Sequence, residues 1–314
     1  MHVLVTGGTG FIGRFLVPQL LKRPETAVTL LLRENYREQP LPPPLRPLRT
    51  QFNVVYADLR SFKLTAQSVR DAAPEAIIHL AAAGATEPFL PATTAIHHNL
   101  TGTLNLIHAC FEKQHKVTQL IVARTPGELS GINTYAASKA ATWEFCRMYA
   151  RTRDWPIHGG MIFQAYGSGQ PRQTFIPAAL QAALAGENFP MTTGTQKRDW
   201  IYAEDVAAGL LAMLGAALSP ATTVDIGTGI ATSLIDVAHL IYKIVNRGGQ
   251  PLPGALPSRP GDAPTQTANA AETGTLINWH ANTALPDGLR QLCHHLKSQE
   301  DLLLPRIEIR NSRD

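Results

Sequence analysis

Tyr135 and Lys139 stand four positions apart and are the residues of this 314-residue chain best suited to proton transfer. They open a helical pattern that runs to about Arg151, and this spacing places both side chains on one face, one turn apart. A free phenol, with a pKa near ~10, is a poor proton shuttle at neutral pH, but a nearby ammonium favours the phenolate and lowers that pKa. The pair indicates an acid–base centre, although such a pair on a helix surface, taken alone, is more often unrelated to chemistry.

A glycine-rich segment near the start of the chain predicts a phosphate site. It runs from Gly7 to Gly13 as GGTGFIG, between an apolar strand pattern and a helical pattern. Gly7 permits a tight turn, Gly10 lets the backbone approach a pyrophosphate, and Gly13 lets the helix pack close to the sheet. The helix N-terminus adds N–H donors and positive potential. This position between strand and helix favours a dinucleotide site over a glycine turn without a ligand.

Short apolar runs alternate with helical patterns through the first half of the chain. The predicted strands are His2–Val5, Val28–Leu32, Val54–Tyr56, Ile77–Leu80 and Leu120–Val122. The alternation predicts an α/β fold with a doubly wound parallel sheet, which binds ligands at the carboxyl ends of its strands. We expect a dinucleotide-binding domain over residues 1–165, a smaller α/β substrate-binding lobe interleaved with it over 166–299, and a C-terminal tail over 300–314.

The connection after the second strand is rich in proline, from Pro40 to Pro44. Proline lacks the N–H that a helix interior uses, and its ring fixes φ. The run therefore predicts an extended surface loop, a stiff connector rather than a polyproline partner site.

Composition excludes several other classes of protein. The net charge is +4 and the basic residues are scattered, without the stripe that a nucleic-acid surface shows. Cys110, Cys146 and Cys293 are far apart, which argues against a disulfide framework or a zinc site. The N-terminus does not resemble a signal peptide, and no run approaches the ~20 apolar residues of a membrane helix. We expect a cytoplasmic protein without a metal.

The GGTGFIG spacing resembles that of the extended short-chain dehydrogenase/reductases, also called the NAD-dependent epimerase/dehydratase family. Four further segments, in the same order, resemble motifs of that family: Asp58-Leu59, His79-Leu80-Ala81-Ala82, Asn99-Leu100-Thr101-Gly102-Thr103, and Tyr135-Ala136-Ala137-Ser138-Lys139. The resemblance covers nearly the whole chain. It implies a Rossmann domain and cofactor contacts at Gly7, Gly10, Phe11, Ile12, Gly13, Arg33, Asp58, Leu59, Leu80, Ala81, Ala82, Asn99, Tyr135 and Lys139.

The second predicted strand bears on the choice of cofactor. Dinucleotide enzymes that prefer NAD usually end this strand with an acid that binds the ribose 2′-hydroxyl. Here the strand ends in Arg33, with Arg37 close by. An arginine binds a phosphate through two hydrogen bonds, whereas an acid would repel it. The sequence thus favours NADP(H), with NAD(H) as the alternative if Arg33 is only a solvated residue at a strand end.

In the family a serine or threonine after the fifth strand hydrogen-bonds the reacting oxygen, and Thr125 stands at that position. The usual pair of serines before it is replaced by Ala123-Arg124, and only ten residues separate Thr125 from Tyr135. Family members commonly have a loop about twice as long, so we expect a more open site. Sugar-nucleotide dehydratases carry Asp-Glu directly after the threonine. Pro126-Gly127-Glu128 follows here, which disfavours water elimination.

The second half of the chain holds further resemblances, which concern the substrate. Tyr166–Gln170 resembles the family's YGPGQ turn, Arg198–Tyr202 with Asp205 its RDxIxVxD segment, and Arg259–Asp262 its RPGD segment. In sugar-nucleotide members the two arginines reach the diphosphate or its ribose. The implied substrate contacts are Thr86, Gln164, Arg198 and Arg259. The alternative is that the arginines are separate surface residues, one paired with Asp199 and the other with Asp262. Asp205 also fits the N-cap of the following helix.

Together these features predict an oxidoreductase that acts on a nucleotide-activated sugar. The leading version is keto-sugar reduction, in which NADPH delivers hydride and Tyr135 donates the proton. Lys139 then holds the nicotinamide ribose and tunes Tyr135, while Thr125 polarises the carbonyl. The alternatives are a 4-epimerase with bound NAD, reduction of a hydrophobic ketone, and a non-catalytic nicotinamide sensor. A homodimer is expected by analogy through the helices near Ile96–Phe111 and Tyr135–Arg151.

Overall fold

The computed structural model describes residues 1–33, 40–112, 117–258 and 261–303. Its centre is a seven-stranded sheet in which all neighbouring strands are parallel. The strands, numbered in chain order, are β1 (His2–Thr6), β2 (Ala27–Leu32), β3 (Asn53–Tyr56), β4 (Ala76–His79), β5 (Gln119–Arg124), β6 (Ile157–Ile162) and β10 (Thr223–Ile226). Their spatial order is β10-β6-β5-β4-β1-β2-β3, which confirms the predicted doubly wound α/β class.

Helices cover both faces of this sheet. They are α1 (Gly13–Leu21) and α7 (Ala203–Leu214) on one face, and α2 (Phe62–Ala72), α4 (Gly102–Phe111) and α5 (Thr134–Arg153) on the other. Because side chains alternate along a strand, Val3 and Val5 join the core under α1 and α7, whereas Leu4 joins the core under the other helices. Both faces are apolar, as a buried parallel sheet requires.

A smaller lobe is built around β9 (Lys197–Tyr202). This strand pairs with β7 (Gln164–Tyr166), β11 (Ala231–Ser233) and β13 (Thr265–Gln266), and a separate pair joins β8 (Phe189–Pro190) to β12 (Pro251–Leu252). The remaining helices are α3 (Ala92–Ala95), α6 (Phe175–Ala185), α8 (Leu234–Val245), α9 (Ala270–Ile277) and α10 (Leu285–Leu303). Since α7 and β10 return to the main sheet, the chain crosses between the lobe and the sheet. Helix α10 continues past residue 299, where the sequence placed the start of a tail.

The proline-rich connection differs from the sequence prediction. Pro43 and Pro44 begin a 3₁₀ helix that extends from Pro43 to Gln51, and Leu45 within it is fully buried. Prolines are tolerated in the first turn of a helix because an N–H there has no partner within the helix. The prediction of an extended loop was therefore wrong from Pro43 onward.

Helix α7 also begins earlier than the sequence suggested. Its first residue is Ala203, so Asp205 lies inside the first turn and is not the N-cap. The carboxylate of Asp205 instead accepts a hydrogen bond of 2.8 Å from the Thr283 backbone N–H. This contact between residues far apart in the chain gave no local signal.

Three absences hold within the described ranges. No helix there combines the length and apolar character needed to cross a membrane. No cluster of three or more histidine, cysteine, aspartate or glutamate side chains there could hold a metal ion. The three cysteines are buried free thiols.

Candidate active site

The glycine segment after β1 packs directly against the end of β4. Gly7 has a φ of +71°, and a Cβ atom there would lie 2.6 Å from the Ala81 nitrogen. A Cβ on Gly13 would lie 2.4 Å from the Gly8 carbonyl oxygen. Neither position has room for a side chain, so the loop presents backbone at the start of α1.

This loop borders a groove of about 310 Å³ at the carboxyl ends of β1 to β4. Eight of the predicted cofactor residues line it: Gly7, Gly10, Arg33, Asp58, Leu59, Leu80, Ala81 and Ala82. Phe11 and Ile12 do not, because the Phe11 ring packs on Phe15 and Ile12 packs on the core. Gly13, Asn99, Tyr135 and Lys139 lie outside this lining as well, and the contacts of all these residues with a cofactor stay a prediction.

One end of the groove contains more basic side chains than the sequence suggested. Arg33, Arg60 and His98 line it together with Asp58. The Arg60 guanidinium donates to Asp58 at 2.9 and 3.0 Å, and this hydrogen bonding lowers the pKa of the Asp58 carboxyl. Partial burial and the positive charges of Arg60 and Arg33 lower the pKa of His98, against the influence of Asp58. Sequence reasoning missed Arg60 and His98 as residues of this end.

A buried histidine, His79, connects the end of β1 to α4. His79 Nδ1 is 2.6 Å from the Thr6 hydroxyl, and its Nε2 is 2.8 Å from the Thr103 hydroxyl. The Thr6 hydroxyl also accepts from the Ala81 N–H at 3.2 Å. Burial, with a smaller influence of Lys139, lowers the pKa of His79 to about 3, so the ring is neutral at ordinary pH.

Asn99 links the groove to the helix of the tyrosine. It lies in a π-helical segment, Ile96–Thr101, which joins α3 to α4. Its side chain accepts from the Ala83 N–H at 2.8 Å and donates to the Ala83 carbonyl and the Ser138 hydroxyl, each at 2.9 Å. Ser138 in turn donates to the Tyr135 carbonyl at 2.8 Å. A wall of the groove is thus tied to the first turn of α5.

Tyr135 and Lys139 lie in the first two turns of α5, as predicted. Asn133 caps the helix by accepting from the Ala136 N–H at 2.8 Å. The Lys139 ammonium is buried and donates to the Ala123 carbonyl at 2.6 Å. The Tyr135 hydroxyl has no hydrogen-bond partner within the part of the chain that the structure describes.

The pKa of Tyr135 is shifted in the direction opposite to the sequence prediction. Burial, and after it the negative charge of Glu128, raise this pKa to about 12. Burial also lowers the pKa of Lys139, while Glu128 opposes that change. The prediction considered the neighbouring ammonium alone and omitted both burial and a carboxylate that was not assigned to the site.

Thr125 lies directly after β5 and caps a short 3₁₀ helix, Pro126–Leu129. Its hydroxyl accepts from the Gly127 N–H at 3.4 Å, and its own N–H donates to the Glu128 carboxylate at 3.1 Å. Glu128 also forms an ion pair of 2.9 Å with Arg124, and both side chains are almost wholly buried. Because the Thr125 hydroxyl is used as an acceptor here, its hydrogen stays available for donation.

The predicted substrate residues that the structure describes are distributed over the small lobe and one loop. The Arg198 guanidinium is buried and donates to the Asp262 carboxylate and to the Lys197 and Ala263 carbonyls. The pairing with Asp199 considered above is wrong for Arg198, because the Asp199 carboxylate accepts from the N–H groups of Thr228, Gly229 and Ala268.

The other three substrate residues are less defined. Gln164 is exposed at the start of β7, and Thr86 is exposed in the loop before α3. That loop contacts α5, since the Thr134 hydroxyl and the Tyr135 N–H donate to the Pro88 carbonyl at 3.0 and 3.1 Å. Arg259 lies outside the described residues, so its contacts stay a prediction.

A family model matches the part of the chain that forms the seven-stranded sheet, the groove and α5. The model of the NAD dependent epimerase/dehydratase family matches residues 3–227. The chain belongs to this family. The resemblance drawn from the five sequence motifs is therefore confirmed, and the protein is an enzyme of a family that uses NAD.

Two relatives of this protein are similar to it over more than nine-tenths of their length. The low-salt glycan biosynthesis protein Agl12 of Haloferax volcanii is 28% identical over 92% of this chain and 96% of its own. The UDP-glucose 4-epimerase GEPI42 of Cyamopsis tetragonoloba is 27% identical over 93% of this chain and 92% of its own.

Solved structures show the same fold. The UDP-glucuronic acid 4-epimerase of Bacillus cereus, in complex with UDP-glucuronic acid and NAD, matches with a TM-score of 0.83 at 22% identity, over 95% of this chain and all of that one. The UDP-glucose 4-epimerase of Thermotoga maritima, with UDP-glucose, matches with a TM-score of 0.81 at 21% identity, over 96% of this chain and all of that one.

Proposed function

We propose that this family member holds NAD(P) in the groove and uses Tyr135 to move a proton to and from an oxygen of a nucleotide-activated sugar. The observation that carries the proposal is the hydrogen-bond chain from Ala83 in the groove wall through Asn99 and Ser138 to the Tyr135 carbonyl. This chain fixes the proposed acid–base residue relative to the proposed cofactor site. A tyrosine and lysine paired by chance on a surface would need no such connection.

The residues of the groove fit a dinucleotide. Side chains are excluded at Gly7 and Gly13, which hold the tight turn and the close helix packing, and the N-terminus of α1 suits the negative charge of a pyrophosphate. Asp58, two residues after β3, supplies a carboxylate at the proposed adenosine end of the groove. The structural relatives named above are described with NAD or with UDP-sugars bound, which supports the same class of ligands.

The chain's own residues suit the proton steps of hydride exchange at a sugar carbon. When bound, the nicotinamide ring supplies the hydride acceptor or donor. Tyr135 takes the proton from the sugar hydroxyl when the carbon is oxidised and returns it when the carbonyl is reduced. Lys139 supplies positive charge one turn along the helix, and Thr125 donates its free hydroxyl hydrogen to the sugar oxygen. Thr86, Gln164, Arg198 and Arg259 are the proposed substrate contacts.

Among such reactions we place 4-epimerisation of a nucleotide sugar first, ahead of the keto-sugar reduction favoured by the sequence. The relative from Cyamopsis tetragonoloba is named a UDP-glucose 4-epimerase, and the similarity extends over more than nine-tenths of both chains. Dehydration remains disfavoured because Pro126-Gly127 stands where dehydratases have Asp-Glu. The presence of both Tyr135 and Lys139 argues against a non-catalytic sensor.

Net reduction of a keto-sugar is the second candidate, and a specific observation favours it. Arg33, Arg60 and His98 line the end of the groove near Asp58, where a 2′-phosphate would lie, and an acid for the ribose hydroxyl is absent from the described end of β2. The positive charge of Arg33 favours NADP(H), a cofactor suited to stoichiometric reduction. NAD(H) accords with the cofactor described for the Bacillus cereus structure.

One experiment separates the candidates. The cofactor is released by denaturation from one portion of freshly purified protein and identified by mass spectrometry. A native portion is supplied with UDP-glucose or UDP-glucuronic acid, and another with NADPH and a nucleotide-linked keto-sugar. Formation of the 4-epimer with retained cofactor and no net use of NADPH supports epimerisation. Stoichiometric oxidation of NADPH with a keto-sugar supports reduction. Binding of cofactor without turnover of any nucleotide sugar contradicts both.

We also propose a homodimer through the Ile96–Phe111 helical segment and α5. Phe145 and Met148 are 41% and 39% exposed on α5, and Ile96 is 46% exposed on the neighbouring segment. Burial of these apolar side chains against a second copy would remove them from water. Light scattering should give twice the monomer mass, and Phe145→Glu should reduce it to the monomer mass. A monomeric parent protein contradicts the dimer.

A further inference from the structure

A second cavity, of about 490 Å³, lies apart from the groove. One wall is the face of α1 from Arg14 to Lys22, and the others are the start of the 3₁₀ helix, the turn after β7, Glu204 of α7 and His295 of α10. No residue of its described lining is shared with the groove or belongs to the proposed substrate contacts. The groove measures about 310 Å³, so the second cavity has room for a small organic ligand.

One side of this cavity is apolar and fixed in shape. The Phe15 ring is held by an edge contact with the ring of Tyr202, at a centroid distance of 6.5 Å. Pro18 of α1, together with Pro43 and Pro44 at the start of the 3₁₀ helix, adds apolar rings that carry no backbone N–H. A flat apolar ring of a ligand can pack against this side without leaving a backbone donor unsatisfied.

The same cavity contains charged groups. Arg14 Nε donates to the Thr9 carbonyl at 3.2 Å, and a Cβ atom on Gly169 would lie 2.6 Å from Arg14 Nη1, so the guanidinium lies against the turn after β7. Lys22 follows roughly 12 Å further along the axis of α1. In the part of the chain that the structure describes, Arg14, Lys22 and Glu204 form no ion pair. Two uncompensated cations against one carboxylate favour an anion.

We propose that this cavity binds a small organic phosphate with a flat ring, of the chemical class of the nucleoside phosphates. The ring packs against Phe15 and the prolines, and the phosphate accepts hydrogen bonds from the Nη atoms of Arg14, a geometry that suits a guanidinium. Lys22 adds positive charge along the helix, and Glu204 opposes binding. The site is separate from the proposed active site, so the ligand is not the substrate of the reaction.

The hydrogen bond from Arg14 to Thr9 connects this cavity to the groove. Thr9 belongs to the glycine segment and lines the groove. A phosphate on the Nη atoms leaves Nε on the Thr9 carbonyl, so it holds both the guanidinium and the segment in place. The ligand should therefore tighten binding of the cofactor, and the cofactor should tighten binding of the ligand by the same factor. This link rests on the proposed cofactor site, whereas the cavity's own ligand does not.

The probe is 4-fluorophenyl phosphate, which combines a flat ring with a phosphate. Its binding is followed by fluorine NMR in the protein alone and in protein saturated with NAD and UDP, which fill the proposed cofactor and substrate sites. We expect a dissociation constant of about 1 mM or below in the saturated protein. Inorganic phosphate and 4-fluorophenol each carry half of the probe, and each should bind about tenfold more weakly or worse.

Four variants locate the probe. Arg14→Met should weaken its binding by about tenfold or more, as expected for the loss of charge-assisted hydrogen bonds, and Lys22→Met should weaken it by a smaller factor. Glu204→Gln removes the opposing carboxylate and should tighten binding. Arg23→Met removes the same charge from the next residue of α1, outside the lining, and should leave binding nearly unchanged. Turnover of UDP-glucose should stay at the parent level in the Lys22 and Glu204 variants.

The outcomes distinguish this inference from the proposed function. Binding that weakens in Lys22→Met and tightens in Glu204→Gln supports the site, because a general loss of structure would not tighten it. No binding, or binding that is equal in all four variants, overturns the site whether or not the protein turns over a nucleotide sugar. A probe affinity that is the same with and without NAD overturns the link through Arg14. If NAD and NADPH both fail to bind, the proposed function fails, and the titration of the protein alone still decides the site.

Discussion

The groove at the carboxyl ends of β1 to β4 and the surroundings of Tyr135 are built in different ways. At the groove, the shape comes from backbone without side chains, as at Gly7 and Gly13. Around Tyr135, it comes from side chains buried against one another, with Asn99, Lys139 and Glu128 hydrogen-bonded to backbone groups of other segments. A local turn can be read from residue spacing, whereas a network of buried side chains depends on the whole fold. Variants at the two regions should therefore fail in different ways.

The largest effect is expected at the tyrosine. Tyr135→Phe removes the only group proposed to exchange a proton with the substrate, and general acid–base groups contribute about a hundred- to ten-thousand-fold in rate. Turnover should fall by that factor while the dissociation constant for the cofactor, measured by calorimetry, hardly changes. Tyr149→Phe on the same helix, which loses a hydrogen bond to His108, is the matched control and should stay active. An active Tyr135→Phe contradicts the proposed centre.

At the groove the reverse pattern is expected. Gly7→Ala combines a positive φ with a Cβ atom 2.6 Å from the Ala81 nitrogen. Backbone strain of this kind costs about 1–3 kcal/mol, so cofactor affinity should fall by up to about a hundredfold. Gly254→Ala is the control, because Gly254 also has a positive φ but no atom within 4 Å of the added Cβ. Equal loss of cofactor affinity in both variants would show that the close approach to Ala81 is unimportant.

His79 joins the two regions, and it predicts how stability depends on pH. The folded ring stays neutral down to about pH 3, whereas the unfolded chain binds a proton there below about pH 6.5. Protonation therefore favours the unfolded state as pH falls. Between pH 7 and pH 5 this linkage should lower the free energy of unfolding by about 2 kcal/mol. Denaturant unfolding of His79→Gln should show a smaller loss, and the exposed His97→Gln should behave like the parent. An identical loss in all three contradicts the assignment.

The smallest effect concerns cofactor preference. Arg33→Ala should weaken binding of NADPH by about tenfold, as expected for the loss of a charge-assisted hydrogen bond, and leave binding of NADH nearly unchanged. The exposed Arg70 on α2 is the control position. If both cofactors lose affinity equally, Arg33 does not contact a 2′-phosphate, and the case for net reduction loses its main support.

These two regions also show which features the sequence could predict. The fold class and the glycine loop depended on strand patterns and short spacings, and the fold class is confirmed. The helix of Tyr135 and Lys139 was found for the same reason. The alternative pairing of Arg198 with Asp199 and the N-cap role of Asp205 were wrong, because each side chain bonds to a group tens of residues away. Arg60, His98 and the contacts of Glu128 with Thr125 and Arg124 were missed, since they form only in the folded chain. The predicted direction of the Tyr135 pKa shift was wrong, because the spacing of residues does not show how deeply a side chain is buried.

The most direct test of the central claim follows a hydrogen isotope at the sugar. UDP-glucose with deuterium on C4 is incubated with the protein in ordinary water, and the products are analysed by mass spectrometry. If Tyr135 moves only the oxygen-bound proton while the carbon-bound hydrogen travels as hydride, the C4 epimer should form and retain its deuterium. Epimer that has exchanged the deuterium for solvent hydrogen would show proton abstraction from carbon, and it would contradict the account.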